Sequence, residues 1–120
     1  MARLQLKRVY DVPAGSDGAR VLVDRLWPRG IAKEKARIDL WLKDVAPSHA
    51  LRKKFHGHPE AWDDFLSAYK RELTSVAAQL ALAELERLMR EGPVTLLFAA
   101  RDEAHNNAVA LKTWLEKRVR

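Results

Sequence analysis

The sequence predicts an α/β fold: a small, mainly parallel sheet of about three strands flanked by four to five helices, with residues 1–120 forming a single domain. Two observations carry this reading. Val21-Leu22-Val23 and Val94-Thr95-Leu96-Leu97-Phe98-Ala99-Ala100 are near-continuous apolar runs, as strands buried on both faces require. Long stretches with helical spacing separate them, the arrangement that builds a parallel sheet. A chain of 120 residues can form one self-supporting core and is short for two.

The first element spans Leu4 to Val12, where Leu4, Leu6, Val9 and Tyr10 alternate imperfectly with Lys7 and Arg8, a strand pattern. Pro13, Gly15, Ser16, Asp17 and Gly18 form a loop, with Asp17-Gly18 suited to a turn. The strand Val21–Val23 follows and ends before Pro28-Arg29-Gly30. Ile38, Trp41, Leu42 and Val45 then have helical spacing up to Pro47, and Ser48 is placed to cap a short helix carrying Leu51 and Phe55. Pro59 suits a first helical position, ahead of Trp62, Phe65, Leu66, Tyr69 and Leu73 on one stripe. A further helix over about Ser75 to Arg90 carries Val76, Leu80, Ala83, Leu85 and Leu88 and stops at Gly92-Pro93. After the strand Val94–Ala100, the polar stretch Arg101 to Asn107 leads into a last helix with Ala108, Leu111, Leu115 and Val119.

Composition narrows the chemistry. The chain has no cysteine, which excludes disulfides, a thiolate nucleophile, Cys-ligated zinc and iron–sulfur clusters. No run approaches the ~20 apolar residues of a membrane span, and the opening MARLQLKR lacks the apolar stretch of a secretory signal. The expectation is a cytoplasmic protein without a membrane partner. Neither G-x-x-x-x-G-K nor G-x-G-x-x-G occurs, and there is no G-x-S-x-G nucleophile elbow. The net charge of +6 lies wholly in residues 1–60, which hold 13 Lys+Arg against 7 Asp+Glu; residues 61–120 hold 9 of each.

Ligands of open α/β sheets bind outside the carboxyl ends of the strands. Each apolar strand here runs into an adjacent Asp/Arg pair, Asp24-Arg25 and Arg101-Asp102. Arg25, Arg29 and Arg101 offer planar forks for phosphate or carboxylate, with Trp27 and Asn106 beside them. Asp24 and His105 are the candidates for acid, base or orienting roles. The structural alternative is that Asp24 pairs with Arg101 and Asp102 with Arg25, because an unpaired charge at a strand end is costly. Asp102 also suits the N-cap of the last helix.

Other features weigh less. His56-Gly57-His58 offers two metal ligands without a third, so a capping role is favoured and neither metal nor cofactor is expected. Trp41 and Trp62 sit on apolar stripes and read as core, whereas Trp27 is the least committed to packing. A competing reading takes Lys33, Lys35, Arg37, Lys43, Arg52, Lys53 and Lys54 as a basic face for nucleic acid. A third gives that face an acidic protein partner. Oligomeric state is not legible in the sequence.

The string Arg20-Val21-Leu22-Val23-Asp24-Arg25-Leu26-Trp27-Pro28-Arg29-Gly30 resembles the YeaO-like family of uncharacterised bacterial proteins. The likeness continues through Lys33, Ile38-Asp39-Leu40-Trp41-Leu42-Lys43, Ala46-Pro47-Ser48 and Leu51-Arg52, then Trp62, Phe65, Tyr69 and Glu72-Leu73. It resumes at Val94-Thr95-Leu96-Leu97, Ala100-Arg101-Asp102-Glu103 and His105-Asn106. The resemblance implies no established activity. It extends to a broader group that carries cysteines and a Cys-His-Arg-like motif after the last strand, where this chain has alanine and charged residues. The segment that the resemblance leads one to expect as Phe-x-His-Asp-Pro reads Phe55-His56-Gly57-His58-Pro59 here, which withholds a His–Asp role from that turn.

Overall fold

A computed structural model describes residues 4–118. Its sheet has four parallel strands in the order β1-β4-β2-β3: β1 Leu4–Arg8, β2 Ala19–Leu22, β3 Leu40–Trp41 and β4 Val94–Phe98. Five helices accompany it: α1 Lys33–Ala36, α2 His49–Phe55, α3 Trp62–Glu72, α4 Val76–Glu91 and α5 Asn107–Arg118. The α/β class and the parallel sheet are as the sequence predicts, with one further, very short strand.

Alternation along the strands splits the core in two. Val21, Val23, Val94, Leu96 and Phe98 pack with α2 to α5 in the main cluster. Leu22 and Leu97 point to the other face, where Val9, Trp27, Ile31, Ile38 and Trp41 cover them. Both central strands are therefore buried on both sides, which is why their sequences are almost unbroken apolar runs.

The amino end of β2 is fixed by charge and by close approach. The buried Asp17 carboxylate accepts hydrogen bonds from Lys7 Nζ, Arg20 Nη1 and the Ala14 N–H. Arg20 also donates to the carbonyls of Ala36 and Arg37 at 3.0 Å each, tying in the end of α1. Gly18 has φ +66°, and a Cβ there would fall 2.1 Å from the Pro93 carbonyl oxygen, so only glycine fits.

Several expectations are corrected. The first strand stops at Arg8 rather than Val12. The span Ile38 to Val45 is not a helix: Leu40 and Trp41 pair with Val21 and Leu22, and a 3₁₀ turn over Lys43–Val45 follows. On α4 the buried face is Ala78, Ala81, Leu82, Leu85 and Met89, while Val76 and Leu80 are exposed. Pro59 opens a 3₁₀ turn, Pro59–Ala61, ahead of α3. Ser48 caps α2 as expected, accepting from the Leu51 N–H, and Ser75, expected as the first residue of its helix, caps α4 by accepting from the Ala78 N–H. Val119, expected on the last stripe, lies outside the described residues.

Candidate functional site

The carboxyl ends of β2 and β4 are joined by Asp24. One oxygen of its carboxylate accepts the Ala99 N–H at 2.8 Å, and the other accepts from the Asn107 amide at 3.3 Å. The same amide donates to the Val23 carbonyl at 2.8 Å, so α5 is pinned to the end of β2. Burial pushes the Asp24 carboxyl above the ordinary carboxylate range, and the donors Ala99 and Asn107 with the charge of Arg52 only partly offset this.

Above these strand ends lies a cleft of about 650 Å³. One side is the loop from Ala99 to Asn107; the other is the end of α2, the His56–Pro59 turn and the start of α3. Phe55, Trp62 and Phe65 form an aromatic wall, with Trp62 stacked on Phe65 at 5.4 Å and 17°. Phe55 meets Phe65 edge-on at 5.8 Å. The His105 ring stands edge-on to Trp62 at 5.2 Å, and its Nδ1 lies 3.1 Å from Asp102 Oδ2.

The loop before α5 is held by its own side chains. Asp102 Oδ1 accepts the N–H groups of Ala104 and His105, at 3.0 Å each. The Ala104 and His105 N–H groups and the His105 ring hold the Asp102 carboxyl below its usual range. Asn106, not Asp102, caps α5: its Oδ1 accepts the Val109 N–H at 3.0 Å, and its amide donates to the Asp102 carbonyl at 2.9 Å.

Two guanidiniums reach the cleft from different elements, Arg52 from α2 and Arg101 from the loop after β4. Both residues are exposed, and among the described residues neither side chain makes an ion pair or a hydrogen bond to protein. The expected pairs Asp24–Arg101 and Asp102–Arg25 do not form, because Asp24 is satisfied by neutral donors and Asp102 by its own turn.

Of the residues singled out for an anion site, the structure brings Asp24, Arg101, His105 and Asn106 to this one cleft, together with Asp102, His56, His58 and, from the alternative basic face, Arg52. Arg25 is absorbed elsewhere: its guanidinium donates to the carbonyls of Pro47 and Ala46, at 3.1 and 3.0 Å. Arg29 is exposed outside the cleft lining, and its carbonyl accepts the Tyr10 hydroxyl at 3.1 Å. Of the tryptophans, Trp41 and Trp62 pack against the core as their stripes predict, and Trp27 does so as well. Trp27 packs edge-on against Trp41 at 5.4 Å with its indole N–H on the Ile31 carbonyl, whereas the half-buried Trp62 lines the cleft. The legible signal was a pair of aromatics, Phe55 and Trp62, bracketing a short His-Gly-His-Pro turn.

The basic residues of the first half divide between the two faces of the sheet. Lys33, Lys35 and Arg37 flank the Ile31 and Ile38 contacts on the smaller cluster, while Arg52, Lys53 and Lys54 belong to α2 on the main one. Lys43 lies over the Trp41 ring at 4.1 Å. Among the described residues, no group of three His, Asp or Glu side chains could hold a metal ion.

Comparison with known proteins gives a consistent picture. The family model described as the inactive DUF488-N3 subclade matches residues 3–120. Uncharacterized protein Rv3073c of Mycobacterium tuberculosis is 45% identical over 116 residues, covering 97% of this chain and 96% of its own. Uncharacterized protein YeaO of Escherichia coli is 42% identical over 112 residues, covering 93% and 96%. No solved structure matches.

Proposed function

The chain belongs to the inactive DUF488-N3 subclade, with YeaO-like bacterial proteins among its relatives, and from that premise we propose that it binds a small anion, a phosphate ester or a carboxylate, without turning it over. One observation carries the reading: Arg52 and Arg101 enter a single cleft over the strand ends from two elements, and neither is spent on a protein carboxylate among the described residues. Guanidinium forks so placed favour a bidentate anion. The amino end of α5 reaches the same lining at Asn106 and Asn107, where its dipole also favours negative charge.

The remaining groups favour binding over chemistry. Asp24 uses both carboxylate oxygens to hold Ala99 and Asn107, so it sets the shape of the floor. The chain has no cysteine to act as nucleophile after β4, in keeping with the subclade's description.

Titration calorimetry of the protein with inorganic phosphate and with acetate tests this. Binding tighter than ~10 mM to at least one of them is expected, and Arg101→Ala weakens it by roughly tenfold or more, as loss of a charge-assisted hydrogen bond does. Arg25→Ala lowers the melting temperature and leaves the affinity of the folded protein unchanged, because its guanidinium serves the Ala46 and Pro47 carbonyls. The reading fails if neither anion binds, or if Arg101→Ala binds as the wild type does.

A further inference from the structure

We propose that the ligand of this cleft is a phosphate monoester of a flat, apolar group, of the aryl phosphate class; this rests on the anion reading above and makes it specific. The first argument is size. At about 650 Å³ the cleft is far larger than one phosphate ion needs, and it falls within the range of sites for organic ligands.

The second argument is the chemistry of the wall. Phe55 and Trp62 are only partly buried and line the cleft, although both pack against the main core. The Phe65 ring fixes them from behind, stacked on Trp62 and edge-on to Phe55. His105 fixes Trp62 from the loop side. The wall is held rigid, with Phe65 stacked on one face of Trp62 and Lys54 Nζ 5.5 Å over the Phe55 ring, and the surface these rings leave open lines the cleft, where Pro47 and Pro59 add further stiff surface. Wet aromatic surface in a concavity gains from contact with another flat group, whichever group that is.

The third argument is where the charge lies relative to that wall. Arg52 precedes Phe55 by one turn on α2, and Arg101 stands on the loop that carries His105 against Trp62. Both arginines therefore share the cleft lining with the aromatic wall. A ligand with a ring on the wall and a dianionic head between the guanidiniums uses both features at once. A bare anion makes no use of the aromatic wall, and an uncharged aromatic makes none of the two guanidiniums. Two forks also suit the two charges of a phosphate monoester better than the single charge of a carboxylate.

Calorimetry with inorganic phosphate, phenyl phosphate and benzoate at one ionic strength separates these terms. Phenyl phosphate binds at least about tenfold more tightly than inorganic phosphate, in line with the worth of a stacked ring, and more tightly than benzoate. Trp62→Leu removes that advantage while retaining the affinity for inorganic phosphate; Arg101→Ala weakens both phosphates alike. Equal affinities for phenyl phosphate and inorganic phosphate would overturn this inference and leave the anion reading standing. Benzoate binding as tightly as phenyl phosphate overturns the choice of phosphate, and binding of none of the three overturns this inference, the anion reading falling with it when acetate does not bind either. If circular dichroism shows Trp62→Leu to be unfolded, Phe55→Leu takes its place, and the wild-type comparison decides independently of either variant.

Discussion

Asp17 and Asp24 show how one residue type is put to opposite uses. Burial alone raises the Asp17 carboxyl, but hydrogen bonds from Lys7, the Ala14 N–H and Arg20, with the charge of Lys7, leave it lowered. Asp24 has only neutral donors in contact and a more distant Arg52, so burial prevails and it is raised. The signs of their linkage to pH are therefore opposite. Asp17 contributes stability above the ordinary carboxylate range, and this is lost as pH falls through its lowered folded-state value. The Asp24 contribution is full below its unfolded-state value and is lost as pH rises through the raised one. At neutral pH Asp17→Asn should cost about 3 kcal/mol, the low end for breaking a buried pair, because Arg20 keeps its bonds to the Ala36 and Arg37 carbonyls. Urea unfolding as a function of pH checks both signs. The gap between wild type and Asp17→Asn narrows on acidification, while wild type gains on Asp24→Asn over the same descent. Parallel pH dependences for the two variants would contradict these assignments.

Among the elements, those that were legible are the ones whose burial leaves a pattern. β2 and β4 are covered on both faces, and their near-continuous apolar runs say so. β3 leaves no such trace. Two residues cannot display a period, and Ile38, Trp41, Leu42 and Val45 fall by chance at helical intervals while Leu40 and Trp41 are held by register against Val21 and Leu22. On α4 the alanines Ala78 and Ala81 carry part of the buried face, and reading the larger Val76 and Leu80 as core picked the wet side. The entry to β2 is set by an approach that no pattern reports: the Ala19 N–H donates to the Pro93 carbonyl at 3.0 Å, so Gly18 sits against that same oxygen. Gly18→Ala should therefore destabilise by well over 1 kcal/mol, since a strained φ and a clash act together. Gly30 has φ +77° but open space around it, so Gly30→Ala incurs only the conformational part, about 1 kcal/mol. Thermal melts of the two variants compare the terms directly, and equal losses would show that the Pro93 contact yields freely.

Across the whole molecule, the charge excess of the first half resolves into separate places. The sequence predicts a site at the carboxyl edge because Asp24 and Arg101 directly follow apolar runs, and a cleft lies there. Which cations turn into it was not legible, since that depends on how the segment from Ala46 to Pro59 crosses the strand ends. Arg25 is drawn onto the carbonyls of Ala46 and Pro47, and Arg52, a turn into α2, enters the cleft instead. The same partition limits any binding of nucleic acid. Lys33, Lys35, Arg37 and Lys43 accompany the smaller cluster on one face of the sheet, and Arg52, Lys53 and Lys54 belong to α2 on the other. A strand of phosphates lying on one face therefore meets three or four of these cations, and each phosphate neutralised contributes roughly −0.7 to −0.9 to the slope of log K against log salt. Fluorescence anisotropy of a labelled oligonucleotide should accordingly give a slope no steeper than about −4. Its affinity should also fall when phenyl phosphate occupies the cleft, because Arg52 is then shared. A slope of about −5 or steeper would mean that both faces act together and that the basic residues form one surface after all.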